Sequence, residues 1–190
     1  MNEKNSLLSV SGTFLLAVLL LLGVSIRIIH ISQPLVDGWG WRQSDVAMIA
    51  ENFYRRGYNI LFPQINWAGN APGYVGTEFQ LVAFIASLLY PFLGVHDWIG
   101  RSVSIFFFMV SVPPLYLLIR KLFNEKSALF AICIYNLNPI CIVASRSFMP
   151  DMASLSLSIA AIFLFSEWLE SPTSLKFVGM SIATSGMFHN

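Results

Sequence analysis

Long apolar runs alternate along this chain with short, dense polar segments. Leu7 to about Ile31 is almost unbroken hydrocarbon, and further apolar runs lie at about 79–93, 102–119, 127–145, 152–169 and 175–188. A helix of about 20 apolar residues crosses the ~30 Å hydrocarbon core of a bilayer. The first run is longer than the core of a signal peptide, and no small-x-small cleavage site precedes the polar loop. It therefore reads as a retained span. The run at 79–93 is shorter, closes with Pro91 and Gly94 and has aromatic flanks, which suits a helix lying at the interface.

The lysines choose between topologies. Lys4, Lys121, Lys126 and Lys176 are the only ones. If 79–93 does not cross, all four fall on one side, which the positive-inside rule makes cytoplasmic. Six crossings would put Lys121 and Lys126 outside. The expectation is a single membrane domain, 1–190, with five spans at about 7–30, 102–119, 127–145, 152–169 and 175–189. Residues 32–100 then form a large extracytoplasmic loop, and 146–151 a short second outer turn. The fold class is an all-α polytopic membrane protein.

The large loop has structure of its own. In 44–56, Val46, Ile49, Ala50, Phe53 and Tyr54 share one stripe of a helix, with Ser44 or Asp45 as the N-cap and Gly57 as the stop. The stretch NILFPQINWAGNAPGYVGTE is rich in Gly, Pro, Asn and aromatics and reads as an irregular loop. A second amphipathic helix is expected at about 78–93.

Composition agrees. The 190 residues are 56% hydrophobic and 11% charged, against about 25% charge in soluble domains, and mean hydropathy is +0.67. Net charge is +1, so nucleic acid is excluded as a partner. Cys133 and Cys141 lie eight apart inside one apolar run and read as packing residues. His30, His96 and His189 are isolated, so no His/Cys metal cluster exists. The sequence requires no cofactor and leaves a divalent metal ion open.

The candidate chemistry gathers where the topology puts the outer face. DGWGWRQSD supplies Asp37 and Asp45, and RSFMPD supplies Asp151. Locally, Asp37 is also a turn residue beside glycine, Asp45 a helix N-cap, and Asp151 a carboxylate favoured by a helix dipole. Arg42, Arg55, Arg56, Arg101 and Arg146 fall on the same face, against the positive-inside trend. Arginine holds phosphate bidentately; Arg101 and Arg146, at the ends of spans, equally suit snorkelling to the interface. Trp39, Trp41, Trp67 and Trp98 suit an interfacial belt or a sugar-stacking surface. A carboxylate that takes a proton from an acceptor hydroxyl, with arginines that stabilise a departing phosphate, equips a site for a lipid-linked phosphate and a polar acceptor. A transporter would carry ionisable residues near mid-span; here Arg27 and Glu167 lie near span ends.

DGWGWRQSD, AMIAENFYRRGYNILFPQ, EFQLVAFIASLLYPFLG, IGRSVSIFFF and RSFMPD, in this order, resemble the N-terminal part of the GT-C glycosyltransferases that use polyprenyl-phosphate sugars. These include the protein O-mannosyltransferases and the lipid A aminoarabinose transferases. The resemblance implies a first outer loop with two juxtamembrane helices and a donor that is a polyprenyl-phosphate sugar. It implies a glycan, lipid or protein acceptor, and a multi-pass place in the cell membrane, in a bacterium the inner membrane. It implies a catalytic aspartate in the first loop, matched by Asp37 with Asp45 as competitor, and a second acid, Asp151, in the next outer loop. Arg42, Glu78, Arg101, Arg146 and Trp41 fall at substrate-binding positions, with Glu78 in place of a Lys-Pro-Pro element of other members. Members of that superfamily are longer chains with more spans, so this chain is expected to hold the catalytic loops and to lack the rest of the bundle. The alternative is a non-catalytic interaction protein or transporter subunit.

Overall fold

The computed structural model describes residues 10–36, 38–69, 71, 73–76, 78 and 80–185. They form eight α-helices: α1 (Val10–Ile28), α2 (Gly40–Arg56), α3 (Leu81–Leu93), α4 (Asp97–Leu122), α5 (Glu125–Leu137), α6 (Pro139–Arg146), α7 (Asp151–Glu170) and α8 (Ser174–Ser185). A 3-10 turn, Asn66–Ala68, lies between α2 and α3. Among the described residues there is no strand, only one antiparallel bridge between Gln64 and Tyr74. The all-helical membrane fold expected from the apolar runs is the fold observed.

Two helices, α4 and α7, are long and apolar enough to cross a membrane by themselves. At 1.5 Å per residue they measure about 39 and about 30 Å. The run at 127–145 is not one straight helix but the pair α5 and α6, bent by 62°. Pro139 has no N–H to continue the ladder, and Asn138 Oδ1 accepts from Ile140 N (2.9 Å) and Cys141 N (3.2 Å), so it caps α6 as a new helix. The apolar parts of α1 (Gly12–Ile28) and α3 (Leu81–Leu93) are shorter. Lys4 and the last four residues of the run expected at 175–189 lie outside the described residues.

α4 is the centre of the bundle, packing on α1, α3, α5, α6 and α7, while α8 packs on α7. Its Gly100 accepts the ring of Phe148: a Cβ there would stand 2.2 Å from the ring. That fit seats the α6–α7 turn on the first turns of α4. At the other end of the bundle, Lys121 Nζ of α4 meets Glu167 Oε1 (2.8 Å) and Glu170 Oε2 (3.1 Å) of α7, and Lys176 Nζ of α8 lies 3.8 Å from Glu167 Oε2. Lys121 and Lys176 therefore share one carboxylate at one end.

The α2–α3 pair forms a cap on this bundle. Of the expected stripe, Val46, Ile49, Ala50 and Phe53 are buried, while Tyr54 at its edge is 38% exposed. Phe53 meets Phe84, and Tyr54 meets Tyr90, both edge-on at centroid distances of 5.7 and 6.1 Å. The start of α2 differs from expectation. It begins at Gly40, four residues before Ser44, with Trp39 at the cap position and no side-chain cap bond. Neither Ser44 nor Asp45 is the N-cap. Ser44 Oγ donates to Gly40 O (2.8 Å) inside the helix, and Asp45 stands in the second turn. Tertiary contacts extend the helix backwards: Phe148 N donates to Gln43 Oε1 (3.0 Å), and Leu35 O lies 2.6 Å from where a Cβ of Gly40 would be, an approach only glycine permits. α3 likewise starts at Leu81, leaving Glu78 in the loop before it.

Candidate active site

Arg42 sits in the first turn of α2. Its Nε donates to Glu78 Oε1 (3.0 Å), its Nη2 bonds the same oxygen, and its Nη1 donates to Asp151 Oδ1 (3.3 Å). One guanidinium thus joins an acid from the loop before α3 to the acid that opens α7. Glu78 Oε2 is buried and has no hydrogen bond among the described residues. Asp151 is 42% exposed and is the first residue of α7, where the helix dipole favours a carboxylate. Burial works against the Arg42 charge, but hydrogen bonding and attraction from Glu78 and Asp151 outweigh it and hold its pKa above the ordinary arginine value. The Asp151 arm is long and solvent-screened, so Asp151 can leave it for another hydrogen donor without uncovering a buried charge.

The other residues singled out from the sequence are placed less uniformly. Asp37 lies outside the described residues. Asp45 is half-buried on α2, and burial raises its pKa. Trp41 is 68% exposed beside Arg42. Arg146 ends α6, half-buried, and has no hydrogen-bond or ion-pair partner among the described residues. Arg101 is not at the surface: it is 1% exposed. Its Nη1 donates to His30 O (3.2 Å) and Ile31 O (3.3 Å), and its Nη2 to Pro34 O (3.2 Å). These are backbone carbonyls just after α1, so Arg101 ties down the segment that leads to residue 37. Among the described residues, no group of three His, Cys, Asp or Glu is placed to hold a metal ion.

Sequence reasoning missed Gln43, Gly100 and Phe148. Gln43 is buried and binds the α6–α7 turn through Phe148 N. Ser104 Oγ of α4 holds the same turn by donating to Ser147 O (2.7 Å). The available signal was Gly100, a glycine inside an apolar helix, which marks a close approach.

The dolichyl-phosphate-mannose-protein mannosyltransferase family matches residues 80–189, more than half of the chain. The chain belongs to this family, and so to the GT-C superfamily. Membership implies a glycosyltransferase domain for polyprenyl-phosphate sugars in a membrane. The matched segment contains Arg101, Arg146 and Asp151; Asp37, Arg42, Asp45 and Glu78 precede it. No curated protein and no solved structure matches the chain.

Proposed function

We propose that the protein transfers a sugar from a polyprenyl-phosphate donor to a hydroxyl of an extracytoplasmic glycan, lipid or protein acceptor, by a single inverting displacement. The observation that carries this reading is the bridge of Arg42 between Glu78 and Asp151, which gathers acids from both expected outer segments at one guanidinium. Asp37 is the general base on the strength of the resemblance, and Asp151 assists. One of them takes the acceptor proton as the acceptor oxygen attacks the anomeric carbon. The bond from that carbon to the phosphate oxygen breaks, and the polyprenyl phosphate leaves with its charge met by Arg146, a guanidinium with no ion pair among the described residues. Arg42 orients Glu78 and Asp151, Trp41 offers an aromatic face to a sugar, and Arg101 positions the approach to Asp37.

The five-span topology is part of the proposal. α7 carries Asp151 at its first residue and Glu170 at its last, about 28 Å apart along the axis, close to the thickness of the hydrocarbon core. The lysine cluster and the acid–arginine bridge thus sit at opposite ends of one crossing. α3 leaves Leu88, Leu89, Phe92 and Leu93 exposed on its outer side, the surface of a helix lying in the interface.

The test is the full-length protein in liposomes, supplied in turn with polyprenyl-phosphate mannose and with a nucleotide-activated mannose. Release of polyprenyl phosphate from the first and no consumption of the second is expected. Consumption of the nucleotide sugar alone, or neither turnover nor binding of farnesyl phosphate, overturns the reading.

A further inference from the structure

We infer that Arg27 is a positioning residue for the phosphate-binding end of the site: it clamps the break between α5 and α6 and so sets where Arg146 stands. This rests on the assignment of Arg146 to the donor phosphate.

Near the end of an apolar run, an arginine can snorkel to the interface. Arg27 does not. It is 0% exposed, turned into the bundle, and makes no ion pair with a carboxylate among the described residues. Its Nη1 donates to Gly23 O (2.8 Å) and Asn136 O (3.3 Å), its Nε donates to Ser145 Oγ (2.5 Å), and its guanidinium carbon lies 3.6 Å from the centroid of the Phe108 ring. An unpaired charge in an apolar interior is costly unless dipoles meet its donors. Here carbonyls and a hydroxyl meet Nη1 and Nε, an aromatic face lies under the guanidinium, and Nη2 is buried with no hydrogen bond among the described residues.

The break explains why these groups are available. In a continuous helix, Ile140 N would bond Asn136 O. At the break it donates to Asn138 Oδ1 instead, which leaves the Asn136 carbonyl for Arg27. Ser145, near the far end of α6, accepts from Arg27 and donates to Cys141 O (2.5 Å). One planar fork therefore touches the chain just before the bend and just before Arg146. α1 can bring it there because Gly23 lets α5 come close: a Cβ on Gly23 would stand 2.6 Å from Asn136 Oδ1. Asn136 Nδ2 in turn donates to Leu19 O (2.8 Å). Arg146 follows Ser145 directly, and the turn after it is seated by Gln43 and Ser104. The bend angle between two fixed ends is what Arg27 controls.

The experiment measures farnesyl phosphate affinity of the full-length protein in nanodiscs for Arg27→Lys, Ser145→Ala and Arg146→Gln, and for each of the first two combined with Arg146→Gln. Lysine keeps the charge and loses the fork; Ser145→Ala removes one hydroxyl and keeps the fold if Arg27→Lys does not. Each of the two is expected to weaken binding about threefold to tenfold, and neither to weaken it further once Arg146 is Gln, since residues acting through one another are not additive. Losses that multiply with that of Arg146→Gln, or no loss in either variant, overturn the inference. An unchanged affinity in Arg146→Gln alone removes the assignment of Arg146, and the inference with it. Polyprenyl-phosphate sugar turnover that persists in that case leaves the transferase reading standing.

Discussion

Arg42 of α2 donates to Asp151 of α7 at 3.3 Å across 109 residues of chain. The same guanidinium holds Glu78 more closely. The two arms differ in kind: the Glu78 arm is the better buried and uses two nitrogens, while the Asp151 arm is single and wet. A double-mutant cycle with Arg42→Gln is expected to give a coupling of about 0.2–1 kcal/mol with Asp151→Asn and a larger one with Glu78→Gln, because removing Arg42 alone leaves a partly buried carboxylate without its donors. Thermal unfolding of the four variants in each cycle checks it. Equal couplings would show that Glu78 gains nothing from its burial.

The carboxylates proposed for catalysis separate by turnover. Asp37→Asn is expected to lose about 10²–10⁴-fold in sugar transfer with little loss of farnesyl phosphate binding. Asp151→Asn should lose less. A near-normal rate in Asp37→Asn together with collapse in a folded Asp45→Asn would move the base to Asp45. Asp45 is not the N-cap of α2, so no cap bond occupies its carboxylate.

Asp45 also makes a prediction in pH. Burial raises its pKa in the folded protein above the ordinary 3.8. Folding then favours the protonated acid, so its contribution is fully present below pH 3.8 and is lost as pH rises through the folded pKa. Asp45→Asn cannot ionise. It should be more stable than the parent at neutral pH, with the difference closing in acid. A loss of about 1 kcal/mol at neutral pH would instead be the mark of a lost cap.

Gly100 tests how the α6–α7 turn is held. A methyl group there meets the Phe148 ring at 2.2 Å, so Gly100→Ala is expected to cost about 1–3 kcal/mol by overpacking. Phe148→Leu in the same chain should recover part of it. No recovery would mean that the strain lies within α4.

Topology is checked by labelling single cysteines at Asn66 and Asn124 in the full-length protein in sealed vesicles. Labelling from opposite sides is expected, with Asn66 extracytoplasmic. Labelling of both from one side rules out the five-span arrangement.

Much of this was legible in the chain. The apolar runs marked the helices of the bundle, because a bilayer demands length and hydrocarbon before any packing. The stripe of Val46, Ile49, Ala50 and Phe53 marked the buried face of α2, because that periodicity is local. Arg42 and Asp151 were singled out as residue types suited to a phosphate-and-hydroxyl site, Glu78 came in only through the resemblance, and the family followed from the order of the motifs. What sequence alone could not supply was any relation between distant parts. Nothing local says that Arg42 meets Asp151 and that Arg101 turns inward to backbone carbonyls while Arg146 has no partner among the described residues, since an arginine at a span end can do either. Nor does local pattern start α2 at Gly40: its first turn is held by Gln43 against Phe148 and by the close approach of Leu35, contacts between segments far apart in the chain. Periodicity and composition are properties of neighbours, so they determined the helices and the membrane; the packing of α4 against its partners decided which charges meet.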